Sequence, residues 1–405
     1  MTNTTSFKKL ITGAGAAAIL AGGTLSAGDY GKAIIDDKVP IEPWTICDVF
    51  DMNTLYESES GFIRGVALHG RYQGQFISQQ EEINDTVNNG YHRWQHRRFR
   101  LGMEVELAND ITFYAEANIA AGVPLTTDYF ISDYQDFYLE WEPSDDFTLR
   151  VGKQKQHMTL EDTESSKRIQ TVERSPIVNE VAGARPWGAV VEFDTGEFDH
   201  EVGAWLYGGH LDQPSWLDTG SAAGFSYNVY FPITETITGH FDYVFFDNDN
   251  GTRGGDGGTD APESFGPAYE NTFAAGVEVD DGRFGLFTDL IYASGRVGSG
   301  SIPDGSDTWG FYILPSYDIT DKLQAVFRYA YMAEGREQRT ARFSVPPGNR
   351  QNVENYNSFY AGFQYFICGE NMKLMAGYDY STGNIVATND DVKTGSWQFA
   401  VRTYF

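Results

Sequence analysis

The feature that most constrains this chain is an alternation. Its last residues, GSWQFAVRTYF, put Trp397, Phe399, Val401 and Phe405 on one parity, broken only by Thr403. Gln398, Arg402 and Tyr404 fall on the other. Successive side chains of a strand point to opposite faces, so such a segment is a strand with one apolar and one polar side. In a soluble protein an edge this apolar invites pairing with other chains. The apolar face needs a cover.

The pattern recurs along the whole chain. Val66, Leu68, Tyr72 and Phe76 oppose His69, Arg71, Gln73 and Gln75. Phe99, Leu101, Met103 and Val105 oppose Arg98, Arg100, Glu104 and Glu106, and Ile111, Phe113 and Ala115 oppose Thr112, Tyr114 and Glu116. Sixteen such segments can be read, at 65–76, 97–107, 111–119, 136–141, 147–152, 186–194, 197–208, 223–232, 236–246, 271–280, 283–293, 308–317, 322–332, 357–366, 371–380 and 395–405. Short connections (AND, EPSDD, DTGE, PITET, DDGR, YDITDK, CGEN) alternate with long ones near 77–93, 121–133, 156–185, 209–222, 247–270, 294–307, 333–356 and 381–394. Most strands approach the ~9–11 residues of a tilted membrane crossing, longer than the ~5–6 usual in globular sheets. Together these features predict an all-β fold: a 16-stranded antiparallel transmembrane β-barrel with short periplasmic turns and long external loops. Lipid then covers the apolar faces. A secreted β-rich carbohydrate-active enzyme also alternates but requires no short–long rhythm; a non-conducting structural barrel is the other alternative.

The N-terminal residues agree with export. Lys8 and Lys9 precede an apolar stretch from Leu10 to Ala21 and a small-residue run ending at Ala27, the layout of a secretory signal peptide over 1–27. An N-terminal periplasmic segment, 28–60, and a barrel over 61–405 follow. Beyond Ala27 no run of ~18 apolar residues exists to form a membrane helix, so an exported chain would cross the bacterial outer membrane only as a closed barrel. The formal net charge of −28 speaks against a nucleic-acid partner. GAGAAA at 13–18 follows no strand, so it is no dinucleotide loop. The acidic loop DNDNGTRGGDGGTD at 247–260 lacks the twelfth-position Glu of a calcium loop, and the seven histidines form no zinc pattern. No metal, cofactor or catalytic residue is expected, and no enzyme.

A barrel of this size encloses an aqueous channel, whose selectivity comes from rings of charge. The inward parity assigns Arg71, Arg98, Arg100, Arg150 and Arg402 to one cationic wall, with Glu104, Glu106, Glu116 and Glu140 nearer the short turns. The bland alternative is that all are merely solvated lumen residues. The only cysteines, Cys47 before the first strand and Cys368 in the CGEN turn, both fall on the periplasmic side, where a disulfide would persist. Spacing alone leaves a bridge and two free thiols both open.

Three stretches carry a family resemblance: RRFRLGMEVELANDITFYAEANI, then FYLEWEPSDDFTLRVGKQKQHMTLEDTESSKRIQTVERS, and the terminal WQFAVRTYF. In these the chain resembles bacterial porins of the phosphate-selective porin (O and P) family. The resemblance implies a passive diffusion channel for small hydrophilic solutes and ions, anions such as phosphate among them, working as a homotrimer in outer-membrane lipid. It implies that Phe405 is the membrane-insertion signal. It also implies that 156–185 folds into the lumen as a constriction loop, bringing Glu161, Asp162, Glu164, Lys167, Arg168 and Arg174 toward the arginine wall. The alternative is a loop lying over the external mouth.

Overall fold

The computed structural model describes residues 45–119, 131–181, 185–207, 222–247, 269–296, 307–334, 341–342, 352–385 and 389–405. The signal-peptide segment 1–27 and the acidic stretch from 248 to 260 lie outside the described residues. The barrel and the segment leading into it make up one compact unit, Ile46–Phe405.

Sixteen long strands form the wall: β1 (Ile63–Ile83), β2 (Thr86–Leu107), β3 (Ile111–Ile119), β4 (Ile131–Ser144), β5 (Phe147–Lys153), β6 (Trp187–Thr195), β7 (Phe198–Tyr207) and β8 (Ala222–Thr234). The second half comprises β9 (Ile237–Asp247), β10 (Tyr269–Asp280), β11 (Phe284–Arg296), β12 (Thr308–Thr320), β13 (Leu323–Glu334), β14 (Asn352–Phe366), β15 (Met372–Ile385) and β16 (Asp391–Tyr404). Neighbours in sequence pair antiparallel, and β16 returns to β1 with Tyr404 opposite Arg71 and Phe399 opposite Phe76. The sheet therefore closes on itself, and neither the first nor the last wall strand is left as a terminal edge. Closure removes the aggregation hazard that the terminal strand would otherwise present.

Facing follows parity. On β16 Trp397 is 56% exposed on the outer surface, whereas Arg402 is 0% exposed inside. Phe137, Leu139 and Trp141 on β4 and Phe359 and Phe363 on β14 lie on the same outer surface. Phe405 continues the β16–β1 seam, exchanging backbone hydrogen bonds with Gly70 at 3.0 and 3.1 Å. A side chain at Gly70 would collide with the Phe405 ring 2.5 Å from its Cβ position, so the glycine makes room for the terminal aromatic.

Two features depart from the expected connections. The stretch 77–93 is no loop: β1 and β2 extend as a ribbon to a two-residue turn at Asn84 and Asp85, with φ of 49° and 60°. Positive φ at both turn residues is the twist-matched hairpin geometry that Asn and Asp tolerate. In the N-terminal segment, a 3₁₀ turn (Ile46–Asp51) leads to a short strand (Thr54–Glu57) that pairs with Gly65, Val66 and Ala67 of β1, beneath the point where β16 ends. Cys47 in that turn is bonded to Cys368 between β14 and β15, with Cα atoms 5.3 Å apart.

Candidate functional site

The connection between β5 and β6 turns into the barrel. Apolar residues set its resting place. Met158, Leu160, Ile177, Val178 and Val181 pack with inward-facing Val244, Tyr269, Phe287, Ile291, Tyr312, Val326 and Met332 of β9 to β13. Apart from Met158, which precedes the first, these loop residues lie on two short helices, α1 (Leu160–Thr163) and α2 (Pro176–Val181). Apolar residues pointing into a lumen make no sense for a water-filled barrel; a loop packed on them removes both apolar surfaces from water.

Between the helices the loop is held by polar wall residues. Lys373 Nζ donates to the Ile169 carbonyl at 3.2 Å, Arg402 Nη2 to Val172 O at 2.7 Å, and Arg328 Nη1 to Glu173 O at 2.7 Å. Arg71 Nη1 donates to Ser166 Oγ at 2.6 Å, and Gln73 Nε2 to Ser166 O at 2.8 Å. Glu173 Oε1 accepts from Arg97 Nε and Gln75 Nε2, both at 2.7 Å. Burial alone would raise the Glu173 carboxyl, but Arg97, Arg98 and the Gln75 amide hold it down at about 2. The loop thus meets β1, β2, β13, β15 and β16 as well as the apolar wall.

The residues singled out from the sequence separate into groups. Arg71 and Arg100 share Glu116 at 2.7 and 3.0 Å, all three buried. Glu116 therefore stands at the level of the arginines, not below them with Glu104 and Glu106. Two guanidiniums flanking one carboxylate compensate each other's burial. Arg402, fully buried, also reaches Gln75 Oε1 at 3.1 Å. Arg150 pairs with Glu140 at 2.8 Å and with Glu192. On the inner face of β2 Glu104 is half-buried and Glu106 is exposed. Arg98 donates to the Gln73 amide oxygen at 2.8 Å and, like Lys167, has no carboxylate within ion-pair distance among the described residues.

The loop acids do not face Arg71, Arg98 and Arg100 as expected. Glu161 accepts both its hydrogen bonds from the Ser175 N–H, at 2.9 and 3.0 Å, and lies 3.6 Å from Arg328. Asp162 stands 3.4 Å from Lys155 Nζ and 3.7 Å from Arg174 Nε. Glu164 pairs with Arg168 at 2.7 Å, four residues along. Arg174 ties the loop to itself through the carbonyls of Glu161, Asp162 and Glu164. These groups build the loop from within. The loop carboxylate on the arginine wall is Glu173.

Parity could not find Arg97. A bulge between Arg98, opposite Gln73, and His96, opposite Gly74, leaves Arg97 with no residue opposite it on β1 and lets it turn inward beside Arg98. A bulge adds one residue and breaks the alternation, which no count from either end reveals. Arg328 and Lys373 sit on the inward parity of their strands, at 5% and 0% exposure, and were legible by the same rule that marked Arg402. Arg185, which pairs with Asp136, and Lys155 lie at the two ends of the loop.

This geometry matches known proteins. No curated protein sequence matches the chain. Among solved structures it is similar to the outer-membrane channel DcaP of Acinetobacter baumannii, with a TM-score of 0.57 at 12% identity, covering 86% of this chain and 99% of that one. It is also similar to an anion-selective porin from Comamonas acidovorans, with a TM-score of 0.56 at 11% identity over 84% and 99% of the two chains. The likeness to outer-membrane expressed OmpT of Vibrio cholerae has a TM-score of 0.52 at 12% identity over 86% and 100%. Such distant identities speak to the fold. The family model described as phosphate-selective porin O and P matches residues 66–404, nearly the whole barrel. The chain belongs to the phosphate-selective porin O and P family and is an outer-membrane channel.

Proposed function

We propose that this porin is a diffusion channel for small hydrophilic solutes that prefers anions, phosphate-sized ones included, with loop 154–186 as its constriction. The observation that carries the reading is the unbalanced charge around Arg98. Arg97, Arg98 and Arg100 project from one stretch of β2, yet the carboxylates beside them are already engaged: Glu116 by Arg71 and Arg100, and Glu173 by Arg97 and Gln75. Arg98 bonds only an amide, so a permeating anion meets a half-buried guanidinium free to serve it. Because the loop backs onto β9 to β13 and is held to β1 and β2, the passage runs between the loop and β3 to β6, past Arg98, Lys167 and Arg185.

Three further elements belong to the reading. Segment 1–27 directs export, and Phe405 marks the chain for insertion. Assembly is a homotrimer; a Vibrio cholerae OmpT that shares the fold at a TM-score of 0.50 is described as a trimer form. The protein carries no catalysis of its own.

Reversal potential in a tenfold KCl gradient across a planar bilayer tests the preference. Wild type is expected to favour chloride, and Arg98→Ala to move the potential toward cations. Arg98→Ala with an unchanged potential would place Arg98 outside the permeation path. Shortening the loop between residues 162 and 175 is expected to raise unitary conductance, and an unchanged conductance would refute the constriction.

A further inference from the structure

Where α1 meets the wall, a histidine lies between two aspartates. His240 of β9 is opposite Gly276 of β10, which is opposite Asp289 of β11, which is opposite Tyr312 of β12. All four stand on the inner face, one strand apart. His240 Nε2 contacts Asp289 Oδ1 directly, across the intervening strand. Its Nδ1 lies 3.2 Å from Asp242 Oδ2, close enough for ion-pair attraction though not aligned as a hydrogen bond. The side chains of His240, Asp242 and Asp289 are wholly buried.

The glycine is what permits this contact. A Cβ at Gly276 would stand 2.2 Å from Asp289 Oδ1 and 2.9 Å from His240 Nε2, inside the gap that the pair closes.

Both aspartates also hold the loop. Asp242 Oδ2 accepts the Thr159 N–H at 2.7 Å, and Asp289 Oδ2 accepts the Leu160 N–H at 2.9 Å. The Glu161 N–H donates to Tyr312 Oη at 3.0 Å, and that hydroxyl in turn donates to Asp289. Asn228 donates to Asp242 Oδ1 at 2.9 Å and to the His157 carbonyl at 3.2 Å. Thr159 adopts φ +69°, a left-handed conformation that a β-branched residue takes only when its surroundings impose it. Three consecutive loop N–H groups are therefore presented to a wall cluster whose two carboxylates stand side by side around one histidine.

We propose that His240 is a positioning residue for permeation: it balances Asp242 and Asp289 so that both can hold loop 154–186 in its narrowing position. The inference rests on the loop being the constriction. Without the ring cation, two buried carboxylates face each other, and removing one partner of a buried charge cluster leaves the rest strongly disfavoured. They then draw in water or move apart, and the N–H acceptors move with them. The permeation pathway itself need not touch His240.

Single-channel conductance of folded, heat-modifiable barrels tests this with three variants. H240Q is expected to raise unitary conductance roughly twofold, with flicker between levels, as the uncompensated aspartates release the loop. G276A should act in the same direction, wedging His240 from Asp289 while also pressing on the Thr288 carbonyl of the neighbouring strand, 2.0 Å from the added Cβ. The triple variant D242N/H240Q/D289N keeps acceptor oxygens for Thr159 and Leu160 but removes all three charges, and is expected to return to wild-type conductance. That rescue separates charge balance from shape. If H240Q fails to assemble while the triple variant assembles with wild-type conductance, the same balance is supported. H240Q at wild-type conductance, or a triple variant as defective as H240Q, overturns the proposal. The loop-shortened channel is the control: if it does not widen the pore, the constriction itself is refuted, whereas widening there with an unchanged H240Q refutes only the role of His240.

Discussion

Lys155 stands at the start of the loop between β5 and β6 with its Nζ on the Asp162 carbonyl. Burial lowers its ammonium to about 7; Asp162 opposes that shift, while Arg174 and Arg185 add to it. The sign is that of a buried base: charged below about 7, neutral above. Raising the pH from about 6 to about 8.5 is therefore expected to remove one cation from the loop and shift the reversal potential toward cations, most visibly at low salt. Lys155→Gln should abolish that shift; an equal shift in the variant would assign it to another group. At this scale legibility in the sequence was uneven. The inward parity marks Arg71, Arg100, Arg150 and Arg402 as lumen residues without any coordinates. It cannot say that Arg71 and Arg100 are committed to Glu116, because pairing across β1, β2 and β3 depends on register. The partner acid Glu173 was in view within TVERS, but a loop has no parity to aim it.

Among the elements, β16 shows why the strands were legible and the loops were not. Its alternation follows from two unlike environments, an exposed outer surface and packed polar groups inside. Val401 lies on the outer face midway between Trp397 and Phe405, opposite Leu374 and Gly74. Val401→Arg is expected to cost about 2–4 kcal/mol near the bilayer midplane, read as a lower unfolding midpoint in detergent or bilayer. Gln398→Glu, on the inner face, should leave the midpoint nearly unchanged; equal losses in both would contradict the facing. The long connection read at 77–93 erred for the same physical reason. Polar residues above the membrane do not lose strand structure when a two-residue Asn–Asp turn lets the ribbon continue. Loop 154–186 escaped a residue-level reading because its fold is dictated by the wall. The apolar inner face of β9 to β13, with Val244, Ile291 and Val326, is the signal that something must cover it.

For the whole molecule, the Cys47–Cys368 bond joins positions 321 apart in sequence and ties the segment before β1 to the turn between β14 and β15, on the far side of the β1–β16 seam. A cross-link over so long a loop restricts the unfolded chain most, and its loss is expected to cost about 2–5 kcal/mol. Cys47→Ser/Cys368→Ser should unfold at lower temperature than wild type in gel mobility assays, and reductant should bring wild type down to it; coincident transitions with and without reductant would contradict this. The same bond leaves no free thiol, which makes the lumen open to cysteine mapping. Solutes are expected to pass between the constriction loop and β3 to β6, past Arg98. In open channels, Arg98→Cys is expected to react with a small charged thiosulfonate and lose a large part of its current, while Ala330→Cys, behind the loop on β13, stays unreactive. Current block at residue 330 with none at 98 would contradict the account.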